Sequence, residues 1–386
     1  MAILQAEKVV LFSEDPEVDT NDDLSRSVFG IFGIPIDAIG MADLVRKIEY
    51  AAARKDPFLI STPNLNFVVQ SLSDSQFRES LLRSDLCVVD GAPIVWAARV
   101  MRIPIGERVA GSDIFDALKS LPQRIRGFLF GGQPGVAAAA ANSLNAQHAG
   151  MYCTGALCPG FGSVDDMSDD RTIAEINASD AQFLIASLGA AKGQAWLLRN
   201  HERLTVPIRA HLGAAINFQG GLLRRAPPFV RRSGLEWLWR VKEEPKLWTR
   251  YLKDGCIFLL LLVFSLLPCV LIDKFRSLIR SAASGERLWG SVTHGGRCAY
   301  VTLGGAATIG NIEKIQQLFR TAASFEKNIT VDLSQVTRID ARFIGLCLML
   351  RKQLGRHDNR LRLINVTNNV DFYFRLNRFG FLLQGT

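Results

Sequence analysis

Between Val28 and about Leu212, short apolar runs of β character alternate with stretches of helical period, and that alternation restricts the fold more than any other feature. The runs FGIFGIPI, PFLIST, LCVVD, GFLFGG, QFLIASLG and VPIRAHLG predict strands, while Met41–Arg54, Ala92–Met101, Gly135–Gln147 and Gly193–His201 predict helices. Strands separated by helices cannot join as hairpins, so they run parallel in a Rossmann-like α/β sheet covered on both faces. Ligands of such sheets sit beyond the carboxyl ends of the strands. One of those ends carries an acid: LCVVD stops at Asp90-Gly91, and an apolar helix starts just after Pro93. A carboxylate there either caps the helix or faces a cleft in the ionised form and takes a proton from a substrate hydroxyl. Position alone leaves both open.

Composition narrows the class. A chain of 386 residues with 48% hydrophobic content can build two or three cored units. The 7 cysteines are scattered without a CxxC pair and the 5 histidines without an HExxH spacing, so reduced thiols in a cytoplasmic setting are expected, with no metal site. Residues 1–27 begin MAILQAEKVVLFSEDPEVDTNDD, which lacks a basic run before an apolar core and predicts a solvated acidic tail rather than an export signal. The net charge of +8 is concentrated between Arg224 and Lys253, where nine Lys or Arg face three Glu. A basic surface there suits an anionic membrane or a phosphorylated substrate; no nucleic-acid partner is expected. The turn FGGQPGV, Gly131 to Val136, has the glycines of a diphosphate-cradling loop, a weak motif shared by many unliganded βα turns. GxGxxG is missing after the first strand, which argues against a nucleotide-cofactor dehydrogenase.

After a proline-punctuated segment dense in Arg and Trp, Cys256 to Ile272 reads CIFLLLLVFSLLPCVLI without a charge. This length is at the lower limit for a bilayer span, Pro268 predicts a bend, and the lack of a polar face predicts membrane contact over a buried core helix. Basic residues flank it on both sides, Lys253 before and Lys274, Arg276 and Arg280 after, which predicts a one-sided, monotopic or re-entrant segment. A polar link leads to a second alternating unit. There CAYVTLGG, NITVDLS and LRLINV predict strands, and Ile309–Ala323 and Ala341–Leu354 predict helices.

The elements STPNLNFV, LCVVDGAPIVWAARV, ERVAGSD, LGAAKGQAW and HLGAAINFQGGLLRRAPPFVRRSGLEWLWRVKEEPKLWTRY follow in that order. Over roughly Val28 to Tyr251 the chain thereby resembles the WecG/TagA/CpsF glycosyltransferases, glycosyltransferase family 26. The resemblance implies an inverting enzyme at the cytoplasmic face of the bacterial inner membrane. It would move a sugar from a UDP-sugar donor to a polyprenyl-diphosphate-linked acceptor, with no metal or other cofactor. It makes Asp90 the general base. Thr62 and Asn64 match the TPN element and would bind the sugar or hold the base, and Arg108 would pair with the diphosphate. Arg240 and Arg250 match appendage arginines that close over the site at the membrane, whereas Leu247 stands where another is expected, beside Lys246. GAAKGQ, Gly189 to Gln194, departs from the family's GAPKQE, with Gln194 still a sugar-binding candidate. Asn217 replaces a frequent Asp and cannot exchange a proton, so the sugar can differ from N-acetylmannosamine, with N-acetylmannosaminuronic acid and glucose as alternatives.

From about Arg297 the chain resembles a STAS domain, on VDLSQVTRIDARFIGLCLML. Ala341 and Arg342 follow Asp340 where signalling members carry a phosphorylatable hydroxyl, so that switch is absent. Nucleotide binding, docking of a protein partner and a structural role stay open. The expected organisation is a tail (1–27), a glycosyltransferase unit with a basic appendage (28–253), a membrane-associated segment with a link (254–296) and a small α/β STAS unit (297–386). The competing reading is a STAS-based regulator carrying an inactive transferase scaffold.

Overall fold

The computed structural model describes residues 22–122, 124–147, 150–279 and 287–384. The expected acidic tail up to residue 21, and 280–286 of the expected link, lie outside the described residues. FGIFGIPI is not one strand of the main sheet. It folds back on itself as β1 (Val28–Ile31) and β2 (Ile34–Asp37), antiparallel, with Ile31 opposite Ile34. The turn residues Phe32 and Gly33 both lie at positive φ, 49° and 87°. That pair is the mirror-image turn whose twist matches the strands, but Phe-Gly is not a turn dipeptide that sequence rules recognise.

The main sheet contains β3 (Phe58–Ser61), β4 (Leu86–Cys87), β5 (Ile125–Gly131), β6 (Met151–Leu157), β7 (Phe183–Ser187) and β8 (Ile208–His211). Its order is β4-β3-β8-β7-β5-β6 and every pairing is parallel. The crossovers run through α1 (Met41–Arg54), α2 (Leu65–Ser73), α3 (Ser75–Arg83), α4 (Ala92–Val100), α5 (Gly111–Lys119), α6 (Val136–Ala146), α7 (Asp170–Ala178) and α8 (Ala190–Arg199). Side chains alternate between the two faces: Ile60, Leu129 and Ile185 enter one core, Leu59, Phe128 and Leu184 the other. β6 was not foreseen; it is a half-exposed edge strand of small and polar residues and lacks the apolar run that marks its neighbours.

After α9 (Ala215–Gln219), the short helices α10 (Pro228–Arg232) and α11 (Glu236–Glu243) form the basic appendage. They lead into α12 (Trp248–Leu261), a π turn over Leu262–Leu266, and α13 (Leu267–Ile279). The bend expected at Pro268 does not reverse the chain. Proline cannot donate to the preceding turn and its ring crowds it; the π turn widens the helix just ahead of Pro268, and the helix continues. One side of this helix is packed on the protein, with Leu261, Ser265, Leu266 and Cys269 buried. Leu259, Val263, Phe264, Leu267 and Leu271 on the other side are each more than half exposed.

The second sheet begins at Trp289, inside the stretch expected as link. It consists of β9 (Trp289–Gly295), β10 (Cys298–Ala307), β11 (Asn328–Ile339) and β12 (Leu361–Ile364) in the order β12-β11-β10-β9. β9 is antiparallel to β10 and the other pairings are parallel. Its helices are α14 (Ile312–Ala323), α15 (Ala341–Gly355) and α16 (Asn368–Leu376).

α15 joins the two halves. Ala341 through Leu350 are all buried, because one side packs in the second sheet's core and the other meets the hairpin. A Cβ on Gly345 would lie 1.9 Å from the Val28 carbonyl oxygen, and one on Gly30 would lie 2.5 Å from Ile344 Cγ2, so backbones touch there. Arg342 donates to the Val28 carbonyl at 3.0 Å. Nearby, Asp23 is 1% exposed and pairs with Arg26 and Lys352 at 3.0 Å and Arg356 at 2.8 Å, while Lys352 also reaches Asp85 at 2.7 Å. The acidic segment is therefore not solvated throughout: Asp23 is part of the joint.

Candidate active site

Asp90 does not cap α4. The N-cap is Gly91, at φ 129° and without a side-chain bond, and a residue with a Cβ is strained at that φ. The chain leaves β4 after Cys87, and the Val88 amide bonds to the Ser61 carbonyl at 3.0 Å while the Asp90 amide bonds to Pro63 at 2.8 Å. Those bonds turn the Asp90 side chain toward the start of α5, where the Gly111 amide favours its ionised form. Burial is stronger and pushes the carboxyl up to about 7; Arg108 opposes the shift, and Glu236 and Asp113 add to it. A carboxyl poised near neutrality can accept a proton from a hydroxyl and release it again.

Beside Asp90 lies a cleft of about 570 Å3 lined by Ala92, Trp96, Arg99, Arg108, Asp113 and Arg231 among others. Arg108 pairs with Asp113 at 3.1 Å and with Glu236 of α11 at 2.5 Å. Arg225 also pairs with Asp113, and Arg231 reaches it at 3.1 Å. Three guanidiniums, one from the loop between α4 and α5 and two from the appendage, thus converge on Asp113, with Glu236 on the first of them. Sequence reasoning missed Arg225, Arg231 and Glu236. The doubled arginines of RRAPPFVRR were a signal for the first two; nothing local marked Glu236.

The other expected residues are distributed unevenly. Asn64 caps α2, accepting from the Phe67 amide at 3.3 Å, and its Cβ lies 3.7 Å from the place a Cβ on Gly91 would occupy, so it stands beside Asp90. Thr62 is buried and donates to the His211 carbonyl at 3.4 Å, a supporting position rather than an open one. Arg240 pairs with Glu244 and lies 5.3 Å over the Phe218 ring, and Arg250 lies 5.0 Å over Tyr251. Burial pushes the Tyr251 phenol up, and the charges acting on it include Arg250, Arg240 and Asp90, so the appendage brings all three into one neighbourhood.

Gln194 is corrected. It is 0% exposed and its Nε2 donates to Ser61 Oγ at 2.8 Å, which removes it from any sugar and makes it a core strut. The adjacent Gly193 is needed for packing, since a Cβ there would lie 2.3 Å from the His211 ring. The FGGQPGV turn is also not brought to Arg108. It follows β5, four strands from β4 in the sheet order, or about 19 Å at ordinary strand spacing. Its Gly131 and Gly132 are explained by φ values of 108° and 81°, although the buried Oδ1 of Asn217, which has no partner among the described residues, lies beside Gly132. Among the described residues no group of three or more His, Cys, Asp or Glu side chains converges as a metal site.

Comparison with known proteins agrees with this arrangement. Residues 29–269 match the WecG/TagA/CpsF glycosyl transferase family, and residues 291–384 match the MlaB-type STAS domain. An N-acetylglucosaminyldiphosphoundecaprenol N-acetyl-beta-D-mannosaminyltransferase of Bacillus spizizenii is 24% identical over 207 residues, covering 53% of this chain and 77% of its own. A protein of the same name from Staphylococcus aureus is 21% identical over 216 residues, covering 54% and 82%. A solved structure titled "Crystal Structure Analysis of Mglu" covers only 27% of each chain at 19% identity, and its TM-score of 0.20 carries no weight. The chain belongs to the WecG/TagA/CpsF glycosyl transferase family and joins that unit to a STAS domain.

Proposed function

We propose that this protein is an inverting glycosyltransferase that uses a UDP-sugar donor and a polyprenyl-diphosphate-linked sugar acceptor in bacterial polysaccharide or glycolipid assembly. The observation that carries it is the Asp90 carboxyl, pushed up to about 7 by burial and acted on by Arg108 and Asp113, which line an arginine-bearing cleft. Asp90 takes the proton of the acceptor hydroxyl as its oxygen bonds to the anomeric carbon, and the bond to UDP breaks on the opposite face. Arg108, Arg225 and Arg231 then offset the charge of the departing diphosphate in exchange for Asp113 and Glu236. The names of the two bacterial relatives support a lipid-linked acceptor.

The working location is the cytoplasmic membrane surface. The helix of α12 and α13 is long and apolar enough to cross a bilayer, but its inner side is packed on the protein and its outer side is apolar. Such a helix lies in the plane of the interface. Trp237 and Trp248 are exposed beside it, and the basic appendage faces anionic head groups.

UDP release, followed with a panel of UDP-sugars and a lipid-linked acceptor, tests the activity. A donor that turns over in the parent and not in Asp90→Asn supports the proposal. No release from any donor with the parent protein would leave the chain a scaffold for its STAS domain.

A further inference from the structure

A second cleft, of about 410 Å3, opens where α12 passes between the parallel-sheet unit and the STAS domain. One wall is apolar: Leu72, Ile257 and Leu260, the last 55% exposed and continuous with the outer side of the helix. The lining also carries Arg78, Arg375 and Arg378. Arg375 pairs with Asp371 at 2.7 Å, but neither Arg78 nor Arg378 has an ion pair among the described residues. The carboxylate next to Arg78 in sequence, Glu79, is engaged by Arg351 at 3.0 Å. Arg78 instead donates to the Ser71 carbonyl at 3.4 Å and lies 4.2 Å over the Phe381 ring, which Arg351 also approaches at 6.0 Å. Burial and the neighbouring Arg351 together hold the Arg78 guanidinium below its ordinary value. A half-buried cation beside another cation is unfavourable until an anion arrives.

We propose that this cleft binds the headgroup phosphate of an anionic bilayer phospholipid, with Arg78 and Arg378 on the phosphate and an acyl chain along Leu260 and Leu72. The guanidinium fork matches phosphate oxygens, and an apolar wall open to the membrane-facing side of the helix suits a tail that a soluble phosphate lacks. Arg78 belongs to α3 and Arg378 to the STAS domain, so one lipid bridges both units. The inference rests on the membrane-surface reading above, and its test separates the two.

Full-length protein is titrated with phosphatidylcholine vesicles, with and without phosphatidylglycerol, and binding is read by co-sedimentation. The parent is expected to bind both kinds and to prefer the anionic one. Arg78→Gln/Arg378→Gln should lose about 10-fold or more on anionic vesicles, at roughly 1 kcal/mol per cation at the surface. The charge-matched Arg360→Gln/Arg362→Gln, on the exposed side of β12, should change little. Arg378→Gln alone, at an exposed position, covers the case in which loss of Arg78 harms folding, and thermal unfolding of each variant identifies that case. Equal losses in both double variants, or none in either, would overturn the proposal. So would inorganic phosphate alone raising the parent's Tm through Arg78, or a higher KM for the lipid-linked acceptor with vesicle binding unchanged. Failure of the parent to bind any vesicle would instead remove the membrane-surface reading itself.

Discussion

Asp90 is held where its chemistry and its stability conflict. An acid whose folded-state pKa is raised favours the fold below its unfolded value near 4, and that contribution is lost as pH rises through about 7. The proposed base works in the ionised form, so kcat/KM should rise with pH along a limb centred near 7, read from initial rates of UDP release. Asp90→Asn should lower kcat by about 100-fold or more while raising Tm at pH 8, since an amide carries no buried charge there. A variant that is both active and no more stable would place the carboxyl outside the reaction. Arg225→Ala and Arg231→Ala are expected to weaken UDP protection against heat, because each leaves a convergent guanidinium out of the diphosphate site. Parent-like protection in both would confine donor binding to Arg108.

Among the elements, α12–α13 and α15 show how a long apolar stretch of helix can reach different ends. α15 is buried on both sides from Ala341 through Leu350, whereas the outer side of α12–α13 has no protein partner among the described residues. Phe264→Glu and Leu267→Glu are therefore expected to abolish vesicle binding and to leave Tm within about 0.5 kcal/mol equivalents of the parent, as surface changes do. Unfolding of these variants would show that the outer side packs after all. Gly345→Ala tests α15 from the other direction. Its methyl would collide with the Val28 carbonyl, and a loss of about 1–3 kcal/mol in thermal or urea unfolding is expected.

At the scale of the molecule, the STAS domain is built into the transferase. The positions after Asp340 that would carry a phosphate in signalling relatives are Ala341 and Arg342, 5% and 6% exposed, with Arg342 bonded to the hairpin. Neither side chain has a hydroxyl to phosphorylate, and both are enclosed at the joint. The joint is electrostatic as well as apolar. Burial would push the Asp85 carboxyl up, but Lys352, the Leu59 amide and Arg26 together outweigh it and hold the group below the usual range. A depressed carboxylate contributes stability above its unfolded value near 4 and loses it as pH falls further. Acidification below about 4 should thus loosen the joint, seen as earlier exchange of α15 amides. Lys352→Ala, which leaves Asp23 and Asp85 short of a partner, should cost about 3 kcal/mol at neutral pH.

The alternation of apolar strands and helices marked five of the six strands of the parallel sheet, because period and length are local properties, but it also counted the hairpin of β1 and β2 as a sheet strand and passed over the half-exposed edge strand β6. Asp90 stood out locally as an acid at a strand end, whereas Asn64 and Arg108 drew notice only through the family resemblance, and the roles of all three belong to the proposed function. Other features depended on contacts distant in sequence. Gln194 looked like a ligand residue until the sheet enclosed it against Ser61, and Asp23 looked solvated until α15 supplied Lys352 and Arg356. Glu236 met Arg108 across the fold, and the arginines of the second cleft came from two domains. Burial and counter-charge are set by whichever segments the fold brings alongside a residue, and no local pattern records which segments those are.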